Sequence, residues 1–282
     1  MVINMIQDIE PLIFDNSWHE FEPDNESVIL YYSGKKVLVS ENAGILRFPK
    51  FSEWPDRDMR FTYLFSIKST KFFLAETERD IDIPGFSMQI IGFFRTARPK
   101  ALAFAGITGF QLANWYKSRA FCGRCGRPTS RSREERMVFC EDCGLMEYPK
   151  LSPAVIVAVT DGDRIVLTQY AGREFKNYAL IAGFTEIGET LEETVAREVM
   201  EEVGLKVKNI RYYKSQPWSF SDTVLMGFYA DLDGSDTIKM DARELEKAIW
   251  VKREDIDVVY LDLSLTNEMI CNFAGTLPEK KK

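Results

Sequence analysis

Glu198, Glu201 and Glu202 lie in the segment TLEETVAREVMEEVG, residues 190–204. In a helix, offsets of three and four put side chains on one face, within about 6 Å of axial rise. Three carboxylates so crowded repel one another unless a cation sits between them. Hard divalent ions such as Mg²⁺ or Mn²⁺ take oxygen ligands of this kind. A second cluster is made of thiols. Cys122, Cys125, Cys140 and Cys143 are spaced C-x2-C-x14-C-x2-C, in the knuckles Cys-Gly-Arg-Cys-Gly and Cys-Glu-Asp-Cys-Gly. The glycines suit turns sharp enough to aim two thiolates at one point. Four thiolates around one tetrahedral Zn²⁺ form a closed structural site with no position left for water.

The elements that must hold these groups can be read around them. Thr190 followed by Glu193 is a capping box, so the acidic helix begins near Leu191. Leu191, Val195 and Val199 give it an apolar stripe, and Gly204 is placed to end it. The loop 183–188 before it has the freedom to wrap around a phosphate or a metal. Upstream, residues 154–159 form an apolar run fit for a buried strand, and 165–169 follow the turn Asp161-Gly162-Asp163. From about residue 151 the texture is therefore alternating strand and helix, an α/β pattern.

Residues 1–115 differ, being rich in aromatics and short β-like runs. Residues 28–32 and 36–40 flank Ser33-Gly34, and 61–67 and 71–75 flank Lys68-Ser69-Thr70, which predicts two hairpins. After Pro99, the apolar residues Ala101, Leu102, Ala105, Leu112 and Trp115 predict a helix, with Gly106 and Gly109 as its weak point. Three domains are expected: a β-rich scaffold or dimerisation domain over 1–115, a cysteine module over 116–150, and the α/β domain over 151–282.

Composition narrows the function. The chain has 282 residues, 45% hydrophobic and 28% charged, so disorder and collagen-like repeats are excluded. Its net charge of -7 excludes a uniformly basic nucleic-acid coat. A local basic stretch remains: Lys117, Arg119, Arg124, Arg127, Arg131, Arg133 and Arg136 are opposed only by Glu134 and Glu135. It reads as a solvated surface first and as a phosphate-contacting face second. The single histidine, His19, leaves no pair for a His-based metal site and reads as a surface or interface residue. Five cysteines, four of them clustered, do not make a secreted disulfide scaffold, and the odd one, Cys271, between Ile270 and Phe273, reads as a small buried hydrophobe. The first ten residues, MVINMIQDIE, do not form a signal peptide, and no apolar run reaches membrane-spanning length. The expected compartment is the cytoplasm, with no membrane partner.

Residues 183–205 fit G-x5-E-x7-R-E-U-x-E-E-x-G-U, U being apolar, at Gly183, Glu189, Arg197, Glu198, Val199, Glu201, Glu202, Gly204 and Leu205. This resembles the Nudix box. The resemblance implies an α/β/α sandwich whose loop–helix–loop presents carboxylates to a metal-bound diphosphate. Glu198, Glu201 and Glu202 would be the Mg²⁺ or Mn²⁺ ligands, one of them also serving as base. Arg197 would orient a glutamate, and Glu189 would fix the loop. By the same resemblance the carbonyl of Ala182 and the carboxylate of Glu244 would also reach the metal.

The zinc module placed before a Nudix box, approached through Trp115 and Phe121, is similar to the arrangement in NADH pyrophosphatases. So is Ser215-Gln216-Pro217-Trp218-Ser219-Phe220-Ser221-Asp222-Thr223, which resembles their SQPWPFPxS signature, with Ser219 and Ser221 in place of two prolines and Thr223 in place of the last serine. The residues from Gln216 to Thr223, with Glu135, Tyr148 and Phe184, are then the expected substrate contacts. Aromatic faces at Trp218, Phe184 and Tyr148 can stack on flat rings, and the Gln216 amide can meet a ring edge. The implied substrate is a dinucleotide, NADH or NAD⁺, cut to nicotinamide mononucleotide and AMP, with NAD-capped RNA as a further substrate and a homodimer as the assembly. Two other readings stay open: a Nudix enzyme for another nucleotide such as ADP-ribose, and a zinc-ribbon nucleic-acid-binding protein with an inactive Nudix fold.

Overall fold

The structure is a computed structural model that describes residues 5–42, 44–172 and 177–278. The chain forms two compact units. One is Ile6–Lys150 with Ser219–Ser221; the other is built from Leu151–Trp218 and the chain from Asp222 onward, and includes Met5.

The first unit contains β1 (Phe14–Asp15), β2 (Val28–Leu30), β3 (Tyr32–Ser33), β4 (Lys36–Asn42), β5 (Ile45–Arg47), β6 (Arg60–Ile67), β7 (Thr70–Glu76), β8 (Ser87–Ile90) and α1 (Lys100–Ser118). One sheet has the order β1-β6-β7-β2; the other runs β3-β4-β5 with β8 on β4. The hairpin expected at 61–75 is β6–β7, with Lys68 in left-handed backbone at its turn. The other expected hairpin is divided. Only Tyr32–Ser33 pairs back on β4, while Val28–Leu30 leaves to pair parallel with β7. Ile29 and Leu30 are both fully buried. A strand apolar on both faces needs cover on both, which a two-stranded ribbon cannot supply.

The helix expected after Pro99 is α1, but its glycines are not a weakness. A Cβ on Gly106 would lie 2.2 Å from the Phe94 ring, and one on Gly109 would lie 2.3 Å from Leu30. The Tyr32 hydroxyl donates to the Gly106 carbonyl at 2.6 Å. The glycines are where side chains of the 3₁₀ turn at Phe94 and of the strands at Leu30 and Tyr32 reach the helix backbone. A division at 115/116 falls inside α1, which runs on to Ser118. The cysteine module adds β9 (Ser130–Arg131), β10 (Val138–Phe139) and β11 (Met146–Glu147), a sheet in the order β11-β10-β9.

The second unit contains β12 (Ser152–Asp161), β13 (Arg164–Tyr170), β14 (Ile181–Phe184), α2 (Leu191–Val203), β15 (Val207–Trp218), β16 (Thr223–Leu232), β17 (Leu245–Lys252) and α3 (Leu265–Ala274). Its sheet runs β15-β16-β12-β13-β17 with β14 also on β12, and only β12 and β16 are parallel. Successive residues of β12 face opposite sides. Val155, Val157 and Val159 pack with Val195, Val199 and Val203 of α2, whereas Ile156 and Ala158 pack with Leu265, Met269 and Ile270 of α3. That two-sided burial explains the unbroken apolar run at 154–159. The result is the expected α/β/α sandwich. Met5 completes the α3-side cluster, and Cys271 is fully buried as expected. Among the described residues, no helix is long and apolar enough to cross a membrane.

Candidate active site

The capping box forms as read. The Glu193 amide donates to Thr190 Oγ1 at 3.2 Å, and the Thr190 amide donates to Glu193 Oε2 at 2.8 Å. Gly204 ends α2 in left-handed backbone, φ 68°. With its valines against the sheet, α2 turns Glu198 and Glu202 toward β14. Glu202 is 2% exposed; its Oε1 accepts from the Ala182 amide at 3.4 Å, and its Oε2 is buried with no hydrogen-bond partner. Glu198 packs on Gly183 so closely that a Cβ there would lie 1.8 Å from the carboxyl carbon. Only a glycine lets strand and carboxylate approach this far.

The electrostatics follow from burial. Desolvation pushes Glu202 up to about 8, and the neighbouring charges of Glu198 and Glu244 push it the same way. Glu198 is also raised, first by burial and then, against the pull of Arg197, by Glu201 and Glu244. Glu244, in the turn before β17, therefore lies within electrostatic reach of both, and its carbonyl accepts from the Ala171 amide at 2.9 Å. An acidic pocket with an orphaned buried oxygen suits the chemistry of a hard divalent cation, with Glu198 and Glu202 beside β14 and Glu244 within electrostatic reach.

Arg197 organises the rest. Its guanidinium takes Glu189 with two bonds, Nε to Oε1 at 2.5 Å and Nη2 to Oε2 at 2.9 Å. It also donates to Glu198 at 2.7 Å, to Glu201 at 3.0 Å and to the Phe184 carbonyl at 2.9 Å. Glu189 is held down at about 2, chiefly by Arg197. It also accepts from the Glu186 amide and from the hydroxyl of buried Thr194. Glu189 thus ties the loop to the helix. Thr194 was not legible as part of the site; the one signal is a polar side chain four residues after the cap, next to the apolar stripe. Glu201 stays open, its side chain 60% exposed.

The three helix carboxylates are not drawn together. Among the described residues, the one group of three or more His, Cys, Asp or Glu ligand atoms within 4.8 Å of one another is that of Cys122, Cys125, Cys140 and Cys143. Arg197 pulls Glu198 and Glu201 aside, and Glu202 reaches back to Ala182. The thiols are reduced, with Sγ–Sγ distances of 3.6 Å for Cys122–Cys143 and 3.5 Å for Cys125–Cys140. A tetrahedron of 2.3 Å Zn–S bonds has edges of about 3.8 Å, so the four fit one zinc.

The expected substrate contacts divide. In the first unit Tyr148 donates to Glu135 at 3.0 Å, joining two residues read separately. Tyr148 is about half exposed, and so is Phe184 in the second unit. Pro217 and Trp218 end β15, an edge strand that tolerates proline. Ser219 to Asp222 make the turn to β16, Asp222 has φ 55°, and buried Thr223 pairs with Trp218. Gln216 also has a packing role. It is fully buried, its Nε2 donates to the Leu263 carbonyl at 2.9 Å and its Oε1 accepts from the Leu265 amide at 2.8 Å. Leu265 opens α3, so the amide pairs a helix-end N–H that lacks an intrahelical partner. Gln216 thus holds the start of α3, with one donor and one acceptor site of its amide engaged there.

The basic stretch divides in the same way. Arg131 bonds Glu76 and Thr62 and stacks 4.1 Å over Tyr116. Arg136 is half-buried and donates to the Leu64 carbonyl and to Asn16. Arg119 pairs with Glu147, Lys117 with Glu78 and Arg133 with Glu20. Arg131 and Arg136 fasten the cysteine module to the N-terminal strands and α1, while Lys117 and Arg133 stay largely exposed, in keeping with the solvated reading. His19 lies exposed, stacked on Phe21.

A mixed sheet between two helices, with Arg197-ordered carboxylates beside β14, defines the second unit as a Nudix domain, and residues 150–270 match the NUDIX domain family. Residues 117–148 match the NADH pyrophosphatase zinc ribbon domain. The chain thus joins a NUDIX domain to the zinc ribbon of the NADH pyrophosphatases. It is similar to the NAD-capped RNA hydrolase NudC of Pectobacterium atrosepticum, 45% identical over 148 residues, 52% of this chain and 56% of that protein. With the NAD-capped RNA hydrolase NudC of Salmonella schwarzengrund it shares 43% identity over 151 residues, 54% of this chain and 58% of that protein. The match thus spans little more than half the length of these curated relatives. A solved NUDIX hydrolase from Nitrosomonas europaea aligns at 21% identity and TM-score 0.47, covering 54% of this chain and 89% of that one.

Proposed function

We propose that the protein hydrolyses the diphosphate of NADH or NAD⁺ to nicotinamide mononucleotide and AMP, and removes NAD caps from RNA by the same cleavage. The observation that carries this is the buried, partnerless Glu202 oxygen beside raised Glu198, in a domain preceded by the NADH pyrophosphatase zinc ribbon. An inactive fold has no need to keep such an acidic pocket.

Water attacks one phosphorus, the bridging P–O bond breaks, and the two monophosphates leave. A Mg²⁺ or Mn²⁺ held by Glu198, Glu202 and Glu244, with the Ala182 carbonyl, would neutralise the diphosphate and ease ionisation of water. Arg197 holds Glu198 in place and, through the Phe184 carbonyl and Glu189, keeps loop and helix in register. A carboxylate of the cluster takes the proton of the attacking water. Trp218, Phe184 and Tyr148, the last steadied by Glu135, offer stacking faces for the rings. Pro217, Ser219, Phe220, Ser221, Asp222 and Thr223 shape the turn beside Trp218.

One structural zinc per chain, a homodimer and a cytoplasmic setting complete the reading. It is supported by the reduced thiols and by exposed apolar Phe121 and Met146 on the ribbon. The test is kcat/KM for NADH, NAD⁺, ADP-ribose and NAD-capped RNA with Mg²⁺ and with Mn²⁺. A stacked nicotinamide ring is worth about 1–3 kcal/mol, so NADH is expected to lead ADP-ribose by about 5- to 150-fold. Equal values would leave a general Nudix pyrophosphatase.

A further inference from the structure

The tripeptide Ser219–Ser221 belongs to the compact unit of Ile6–Lys150, although the strands it joins do not. One contact in that unit is chemically specific. The Arg95 guanidinium lies over the Phe220 ring, 4.1 Å from its centroid. Arg95 ends a 3₁₀ turn, Ile91–Arg95, and that turn is anchored. Its Phe94 is fully buried against Gly106 of α1, and the Thr96 and Ala97 amides both donate to the Phe93 carbonyl at 3.1 Å. The cation therefore stands on fixed backbone while the ring it covers sits at the tip of a hairpin. Serines at 219 and 221 do not lock φ as prolines would. The Trp218–Thr223 pair closes the same hairpin, so whatever fixes Phe220 also fixes the path of the chain as it enters and leaves that pair.

We propose that Arg95 is a positioning residue for substrate selection: by attracting the Phe220 ring it fixes the Ser219–Ser221 turn and, through the chain, the setting of Trp218. The role in selection rests on the dinucleotide reading above; the restraint on the turn does not. An exposed cation–π pair supplies about 0.5–1 kcal/mol, which converts to about 2- to 5-fold in binding.

The experiment compares the full, zinc-loaded chain with Arg95→Ala, Arg95→Lys, Phe220→Leu and the double variant Arg95→Ala/Phe220→Leu. Hydrogen–deuterium exchange without substrate is read at residues 216–223 and, as control, over α2. Arg95→Ala is expected to speed exchange at 216–223 and leave α2 unchanged, while Arg95→Lys retains protection. On NADH, Arg95→Ala is expected to raise KM about 2- to 5-fold with kcat within about twofold, and Arg95→Lys to restore KM. The double variant should be no worse than the poorer single one, because the pair is coupled. Unchanged exchange at 216–223, a fall in kcat alone, or additive losses would overturn the proposal. Faster exchange in Arg95→Ala together with no dinucleotide hydrolysis by the wild type would overturn the functional reading and uphold the restraint on the turn.

Discussion

Glu202 illustrates how a residue can be wrong for stability and right for function. A buried carboxylate with an unpaired oxygen destabilises a fold, and here it does so beside two further carboxylates. In the metal-free protein the native state holds the Glu202 proton more tightly than the unfolded state, since its pKa rises from 4.5 to about 8. Stability should therefore fall as pH rises through that window. Glu202→Gln is expected to flatten this dependence and to raise the metal-free Tm at pH 8. The same variant should lower turnover at least about 10²-fold at saturating Mg²⁺, because a charge facing the transition state is gone. Thermal melts across pH and steady-state rates check the two halves separately. Gly183 makes the complementary case. Gly183→Ala would push a methyl group into the Glu198 carboxylate and should depress kcat sharply. Far-UV circular dichroism should remain that of the wild type, since the collision lies at the carboxylate and not in the core.

At the level of elements, the zinc ribbon is the piece whose charge is most easily misread. Arg131 is three-quarters buried and shared among Glu76, Thr62 and the Tyr116 ring. Arg131→Ala strips a charged partner from Glu76 and should cost about 1.5–3 kcal/mol of stability, read as a lowered denaturation midpoint. A phosphate-binding arginine would instead leave stability alone and flatten the salt dependence of RNA binding. Helix α1 gives a second test at this scale. Gly106→Ala forces a Cβ against Phe94 and Phe48 and should destabilise by about 1–3 kcal/mol, although alanine is the better helix former. A stabilised Gly106→Ala variant would mean that this close approach is absent in solution.

For the whole molecule, the four-thiol cluster belongs to the unit of Ile6–Lys150 and the α2 carboxylates to the other unit. The purified chain should carry about one zinc, measured by elemental analysis. Chelation should lower the stability of the Ile6–Lys150 unit, in which Cys140 and Cys122 are buried and Arg131 and Arg136 bridge to the N-terminal strands. The second unit has its own sheet and two helices and should melt later, giving two transitions by calorimetry. A single unchanged transition after zinc removal would show that the thiols do not hold a structural metal.

Much of this was present in the order of residues. The spacing of four cysteines, the capping box at Thr190 and the carboxylates at 198, 201 and 202 are local facts. Helix period and knuckle geometry act over a few residues, so α2, its ends and the thiol cluster could be read directly. The unbroken apolar run at 154–159 likewise announced a buried strand. What sequence could not decide depends on partners distant along the chain. Gln216 reads as a ligand contact, and only the folded chain shows its amide also bonded to Leu263 and Leu265. The basic stretch reads as one surface, yet Glu76 of β7 takes Arg131 inward while Lys117 and Arg133 stay exposed beside Glu78 and Glu20. Gly106 and Gly109 looked like weakness until Phe94 and Leu30 filled the space a Cβ would take. A side chain's type fixes what it can bond, and its near neighbours fix its local backbone. Whether that bonding capacity is left for a substrate is settled by desolvation and pairing across the folded chain, which no local pattern encodes.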